Sequence, residues 1–280
     1  MTQNNLYLLG YASGIAGAAP DVGRGPENIN NVVFDEIFFP QPETTNQRVD
    51  QIINHLDTQL AKKTAELTQQ SQRFVVVGGD HTSAIGTWSG VQQALHQQGD
   101  IGLIWVDAHM DSHTPETTES GRIHGMPLAA LMGYGYPTLI AILNDMPKLK
   151  PENICLIGVR SYESGEAALL KRLNVRVYFI EEVKQRGLKI IFDEAIKQVT
   201  KNTIGFGVSL DLDAIDPKEA PGVGVPTPDG LRAADVLMGM KVAAQQPTFM
   251  GAEIVEFDPS KDKEKMTEKL IVKLIGLLEY

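Results

Sequence analysis

Apolar runs rich in branched side chains recur along the chain at residues 6–9, 74–77, 101–106, 154–159, 175–180, 204–210 and 249–255. Their length and composition read as strands. Between them lie stretches with helical spacing, at residues 49–67, 83–97, 165–173, 190–199 and 233–244, with 265–278 closing the chain. Strict alternation of strand and helix predicts right-handed crossovers. It therefore predicts an α/β fold of three layers, α/β/α, with a mostly parallel central sheet covered on both faces.

Pro and Gly occur as short punctuation, and no Ser/Gly linker, repeat or low-complexity tract interrupts the pattern, so residues 1–280 read as one domain. A hydrophobic content of 42% over 280 residues is enough for a substantial core. The formal charge of −10 argues against nucleic acid as a partner, because binding a phosphate backbone needs clustered Lys and Arg. Met1-Thr-Gln-Asn-Asn carries no basic leader, and no apolar stretch approaches the ~20 residues needed to span a bilayer. Together these predict a soluble cytoplasmic protein with no membrane partner. The single cysteine, Cys155, lies inside an apolar run and reads as a buried structural thiol.

Polar residues cluster where three of the strands end. Trp105-Val-Asp107-Ala-His109-Met-Asp111 alternates ligand-type residues with others, and an extended chain leaving a sheet would point all three to one side. Gly78-Gly-Asp80-His81 and Asp211-Leu-Asp213 end two further runs. In open parallel sheets, ligands bind beyond the carboxyl ends of the strands, so the three segments predict one shared site. Four carboxylates and two imidazoles exceed one tetrahedral zinc and suit a pair of divalent ions; the oxygen-rich set favours a harder ion, manganese first. Two of these segments also have a plainer reading. Asp80-His81 fits a helix cap, Gly78-Gly79 a tight approach of the backbone, and Asp216-Pro217 an Asx turn that stops a strand. His55 and His96 lie in helical stretches away from any cluster and read as packing or surface residues. Gly10, Gly14 and Gly17 miss the dinucleotide spacing, and no G-x-S-x-G elbow appears.

Taken together, the chain resembles the ureohydrolase family of arginases, agmatinases, guanidinobutyrases and formimidoylglutamases. Gly78-Gly-Asp-His81, Asp107-Ala-His-Met-Asp111 and Ser209-Leu-Asp-Leu-Asp213-Ala-Ile-Asp216-Pro217 match its metal motifs in order, and Thr114-Pro-Glu-Thr-Thr-Glu-Ser-Gly-Arg-Ile-His124 looks most like an arginase substrate loop. The resemblance implies an arginase-like fold and two manganese ions. Asp107 and Asp211 would bridge them, His81 and Asp111 would complete one, and His109 and Asp213 the other. It implies hydrolysis of a small guanidino substrate, L-arginine, to L-ornithine and urea by a bridging hydroxide. Glu256 would face the guanidinium, His124 would shuttle protons, and Asp111 would count among the catalytic groups. His113, Thr118, Ser120, Arg122 and Glu163 would contact the rest of the substrate, and the family commonly forms homotrimers or hexamers. The chain departs from arginases where His113 and Arg122 replace the usual asparagines, and Ser161 and Glu163 the usual aspartates. Rival readings keep the chemistry with agmatine, guanidinobutyrate or N-hydroxylated arginine, or keep the scaffold without turnover.

Overall fold

The computed structural model describes residues 6–41 and 47–279, so the leaderless start read from Met1–Asn5 lies outside the described residues, as does Tyr280. Eight strands among the described residues form one sheet in the order β2-β1-β3-β8-β7-β4-β5-β6, and every pairing is parallel. In chain order the strands are β1 (Tyr7–Tyr11), β2 (Glu36–Phe38), β3 (Phe74–Val77), β4 (Ile101–Val106), β5 (Ile154–Val159), β6 (Arg176–Phe179), β7 (Gly205–Asp211) and β8 (Phe249–Val255). The helices are α1 (Val49–Gln69), α2 (Ser83–Leu95), α3 (Pro127–Leu131), α4 (Pro137–Ile140), α5 (Ser164–Arg172), α6 (Ile180–Arg186), α7 (Leu188–Val199), α8 (Ala233–Ala244) and α9 (Met266–Leu278).

Side-chain alternation along the buried strands divides the core. Val75, Ile104, Ile157, Val208 and Ile254 point to one face, where residues of α6, α7, α8 and α9 cover them. Phe74, Val76, Leu103, Trp105 and Leu156 point to the other face, against α1, α2 and α5. This is the three-layer arrangement that the alternating pattern predicts, and it explains why the strands read as continuous apolar runs.

Two expectations need correction. The alternation is not strict, because β2 follows β1 through 3-10 turns at Pro20–Arg24 and Pro26–Asn28 with no α-helix between them. Glu36–Phe38 is too short, and too exposed at Glu36, to register as an apolar run. The run at 175–180 also ends early: Ile180 starts α6, and Gly187, with φ 84°, joins α6 to α7. Cys155 is fully buried, as expected.

The strand order decides where the loops meet. The chain crosses from β3 over α2 to β4 and skips two positions, which β7 and β8 later fill. The carboxyl ends of β3, β8, β7 and β4 therefore lie side by side at the centre of the sheet, and the loops that leave them open onto one place. Gly79 shows how closely those loops pack, since a Cβ there would collide with the carbonyl oxygen of Ser13. Gly79→Ala is expected to cost about 1–3 kcal/mol of unfolding free energy, measured by urea denaturation, because the obstacle is backbone and cannot swing aside. An unchanged midpoint would show that the two loops are free to separate.

Candidate metal centre and substrate cleft

His81 follows β3, Asp107 follows β4, Asp211 ends β7 and Glu256 follows β8, so each of the four central strands delivers one of the expected site residues at its carboxyl end. His81 Nδ1 lies 3.0 Å from Asp111 Oδ2, 3.3 Å from Asp107 Oδ2 and 3.4 Å from Asp211 Oδ2. His109 Nδ1 lies 3.1 Å from Asp213 Oδ2 and 3.4 Å from Asp107 Oδ1. All six predicted ligands thus come together in two groups that share Asp107, one oxygen to each imidazole.

The local backbone differs from the extended exit that alternation suggests. β4 stops at Val106, and Asp111 takes a left-handed conformation with φ 46°, so the loop itself curls its ligands inward. Asp213 lies in a 3-10 turn, Leu212–Ala214, and its N–H donates to Asp211 Oδ1 at 2.8 Å. The plain reading of that segment as a turn holds, and the turn keeps both carboxylates beside the imidazoles. Asp216 accepts from the N–H of Lys218, as its Asx-turn reading requires. Asp80 accepts from the N–H groups of Thr82 and Ala16, tying the start of α2 to the loop after β1.

Hydrogen bonds behind the ligands fix their orientation. Buried Glu253 accepts from Ser83 Oγ at 2.6 Å, Thr87 Oγ1 at 3.1 Å and Ser209 Oγ at 2.9 Å. Ser209 has then given its proton to Glu253, so its oxygen accepts from His81 Nε2–H at 2.9 Å. This aims Nδ1 of His81 at the three carboxylates around it, where its lone pair would be open to a cation. Trp105 stacks on the imidazole, with ring centroids 4.0 Å apart, and donates from Nε1 to Asp107 Oδ2. Arg160 donates to the carbonyls of Gly158, Asp213, Ala214, Thr227 and Pro228, bracing the loop that carries Asp213.

The charge balance points to cations. Four buried carboxylates against two neutral imidazoles require about two dications for neutrality. Without them the cluster can only hold protons. Burial opposes charging His81 and His109, but the surrounding carboxylates outweigh it and hold both imidazoles well above the usual histidine range. Burial and neighbouring carboxylates raise Asp211, and push Asp111 up to about 6. Donor atoms that share a cation at about 2.1 Å sit roughly 3.0–3.5 Å apart, which is the spacing seen around both imidazoles. The residues present fit a binuclear metal site.

Above this floor lies a cleft of about 350 Å³ lined by His113, Thr118, Ser120, Arg122, His124, Glu163, Glu166 and Glu256 among others. His124 Nδ1 donates to Glu256 Oε1 at 3.1 Å, and the same oxygen accepts from the N–H of His81. Glu256 has φ 65°, a left-handed strain that turns its carboxylate toward the cleft at the end of β8. Burial opposes charging His124, but Glu256, Asp111 and Asp80 outweigh it and push its pKa up to about 9. Thr118 Oγ1 accepts from the N–H of Gly121 and Ser120 Oγ from that of Arg122, which leaves both hydroxyl protons free to donate. Arg122 forms no ion pair among the described residues. His113 Nε2 bonds Glu163 Oε2 at 2.8 Å.

The family model for the arginase family matches residues 30–278. The chain belongs to the arginase family. It is 41% identical to an arginase of Bacillus caldovelox over 219 residues, covering 78% of this chain and 72% of that one. It is 39% identical to an arginase of Brevibacillus brevis over 245 residues, covering 86% and 81%. The crystal structure of Bacillus subtilis arginase superposes with a TM-score of 0.88 at 30% identity, covering 98% of each chain. That of Entamoeba histolytica arginase in complex with L-ornithine superposes with a TM-score of 0.85 at 27% identity, covering 99% of each.

Within this arginase-family site, several supporting residues escaped the sequence reading. Glu253 had a visible signal, a lone acid inside the apolar run of β8. Glu166 lies in a segment read for Glu163, yet it is Glu166 that is buried; burial, with Asp111 adding to it, pushes its pKa up to about 8. Arg160 had no signal, since its partners are all main-chain carbonyls. His55 and His96 are exposed and remote from any ligand group, as expected.

Two measurements check the centre. Ser209→Ala frees the His81 tautomer and is expected to weaken metal binding by about 10–100-fold in calorimetric titration, with the fold kept. In protein stripped of metal, the His124–Glu256 pair should stabilise the fold below about pH 6.5 and lose that contribution as pH rises through about 9, because the folded pKa is the raised one. Denaturation of Glu256→Gln alongside the unsubstituted protein should show this difference vanish at high pH; a constant difference would refute the pairing.

Proposed function

We propose that this arginase-family protein hydrolyses the guanidino group of L-arginine to give L-ornithine and urea. The observation that carries the reading is one cleft with two clusters of buried His and Asp side chains at its floor and donors suited to an amino-acid head group on its rim. The L-ornithine named with the similar Entamoeba histolytica arginase supports it. His81, Asp107 and Asp111, and His109 and Asp213, would hold two cations, with Asp107 and Asp211 between them. Manganese is the metal of this reading, because oxygen donors outnumber nitrogen donors. When bound, such a pair of cations supplies a nucleophile from water near neutral pH.

The remaining roles follow from the side chains. Glu256 meets the guanidinium with a carboxylate held in place by the N–H of His81 and by His124. With Nδ1–H committed to Glu256, a protonated His124 keeps a second proton at Nε2. The departing amine takes that proton as the C–N bond breaks, and the Glu256 carboxylate on Nδ1 favours the charged form of His124. At the rim, the hydroxyls of Thr118 and Ser120 and the guanidinium of Arg122 would hold the α-carboxylate. Glu163 would face the α-amino group, and His113 would join the contacts to the α-carboxylate. The same family resemblance extends the reading to a cytoplasmic homo-oligomer, a trimer or hexamer, which sedimentation against the 30.6 kDa chain would test. Among the described residues, no helix is long and apolar enough to cross a membrane.

Protein reconstituted with Mn²⁺ should release urea from L-arginine, lose the activity on chelation, and turn over agmatine at least about tenfold less well by kcat/KM, because agmatine has no carboxylate for the rim. No urea from any guanidino compound would sink the reading. A preference for agmatine or guanidinobutyrate would keep the chemistry and overturn the substrate. His124→Ala should lower kcat by about 10²–10⁴-fold with two cations still bound, which separates proton transfer from metal loading.

A further inference from the structure

A second ligand-type cluster stands at the rim of the cleft. His113 Nε2 lies 2.8 Å from Glu163 Oε2 and 3.7 Å from Glu166 Oε1, and the three donor atoms fall within 4.8 Å of one another. None of the three residues belongs to either group on the floor. The imidazole is about nine-tenths buried and fixed from behind, with Nδ1 at 3.2 Å from Thr117 Oγ1, a hydroxyl itself held by the N–H of Thr114. This is how a ligating histidine is aimed: a hydrogen bond at one nitrogen turns the other toward the ion. Glu166 is likewise positioned by main-chain donors, Ser112 N–H on Oε2 and Glu163 N–H on Oε1, and each oxygen keeps a lone pair.

We propose that His113, Glu163 and Glu166 form a third cation site, specific for zinc, whose occupation closes the cleft to substrate. Donors that share a tetrahedral zinc at about 2.0–2.2 Å sit roughly 3.4 Å apart, and the two distances from His113 Nε2 bracket that value. One imidazole and two carboxylates give three protein ligands and leave a fourth position for water on the open side, where Glu163 is half exposed. The oxygen-rich floor suits a harder ion with more ligands, so the two places differ in the metal they select. A zinc at the rim would occupy Glu163 and repel a substrate ammonium, so filling it competes with substrate. The competition with substrate rests on the function proposed above; the existence of the rim site does not.

The test is an ion count by mass spectrometry after dialysis of the Mn²⁺-loaded protein against Mn²⁺ with added Zn²⁺, repeated on His113→Asn and Glu163→Gln. Total metal should rise from two to three per chain in the unsubstituted protein and stay at two in His113→Asn. Glu163→Gln, a change at an exposed position that spares the fold, should weaken the zinc by about tenfold or more. Zinc should raise KM for the guanidino substrate without lowering kcat, and His113→Asn should be about tenfold less sensitive. A total that stays at two in the unsubstituted protein, or manganese replaced one for one, would overturn the proposal, as would a third ion retained by His113→Asn. If the floor holds no cation, the function proposed above fails, whereas a single zinc lost with His113→Asn still upholds the rim site.

Discussion

The four carboxylates of Asp107, Asp111, Asp211 and Asp213 converge on a volume nearly closed to water, and their mutual repulsion is the constraint on which the rest of the site depends. Charges brought together in such surroundings are tolerated only with compensation close by. The sheet brings them together, since parallel strands in this order leave all their carboxyl ends on one side. The fold therefore stores an electrostatic demand that dications meet. That demand explains why both imidazoles sit within about 3.5 Å of several carboxylate oxygens, where an ordinary histidine would need only one partner.

Below the carboxylates, polar side chains behave as a scaffold. Glu253 lies buried under His81 and takes three hydroxyl donors, so its cost of burial is offset by hydrogen bonds. Trp105 serves twice, stacking on His81 and donating to Asp107. Arg160 ties the end of β5 to the loops after Asp213 and around Thr227. The rim, with His113, Arg122 and Glu163, stands above this rigid support.

The sequence made the layers and the six clustered ligand-type residues legible for two separate physical reasons. Strands buried on both faces have to be apolar throughout, so Phe74–Val77 and Ile101–Val106 stand out, whereas β2, short and half exposed, does not. The ligands announce themselves because buried Asp and His at the end of an apolar run have few other uses. Conformation is less legible: nothing in the composition of Asp107-Ala-His-Met-Asp111 shows that Asp111 turns left-handed, and alternation suggested an extended exit instead. Partners distant in the chain are the least legible. The contact of His124 with Glu256 spans 132 residues, and the buried hydroxyls on Glu253 come from two different elements, α2 and β7.

The order of the strands also has a meaning in time. Since β3 and β4 are separated by β8 and β7, the first half of the chain emerges from synthesis with His81, Asp107, His109 and Asp111 but without the two strands that belong between β3 and β4. A cradle for cations is absent until the last third of the polypeptide has threaded into that gap. Such non-local pairing slows folding, and it makes the centre of the sheet the last part to close. The seam left open in the nascent chain is lined with apolar strand edges. Its exposure during translation is the hazard that accompanies placing a binuclear centre at the junction of early and late strands.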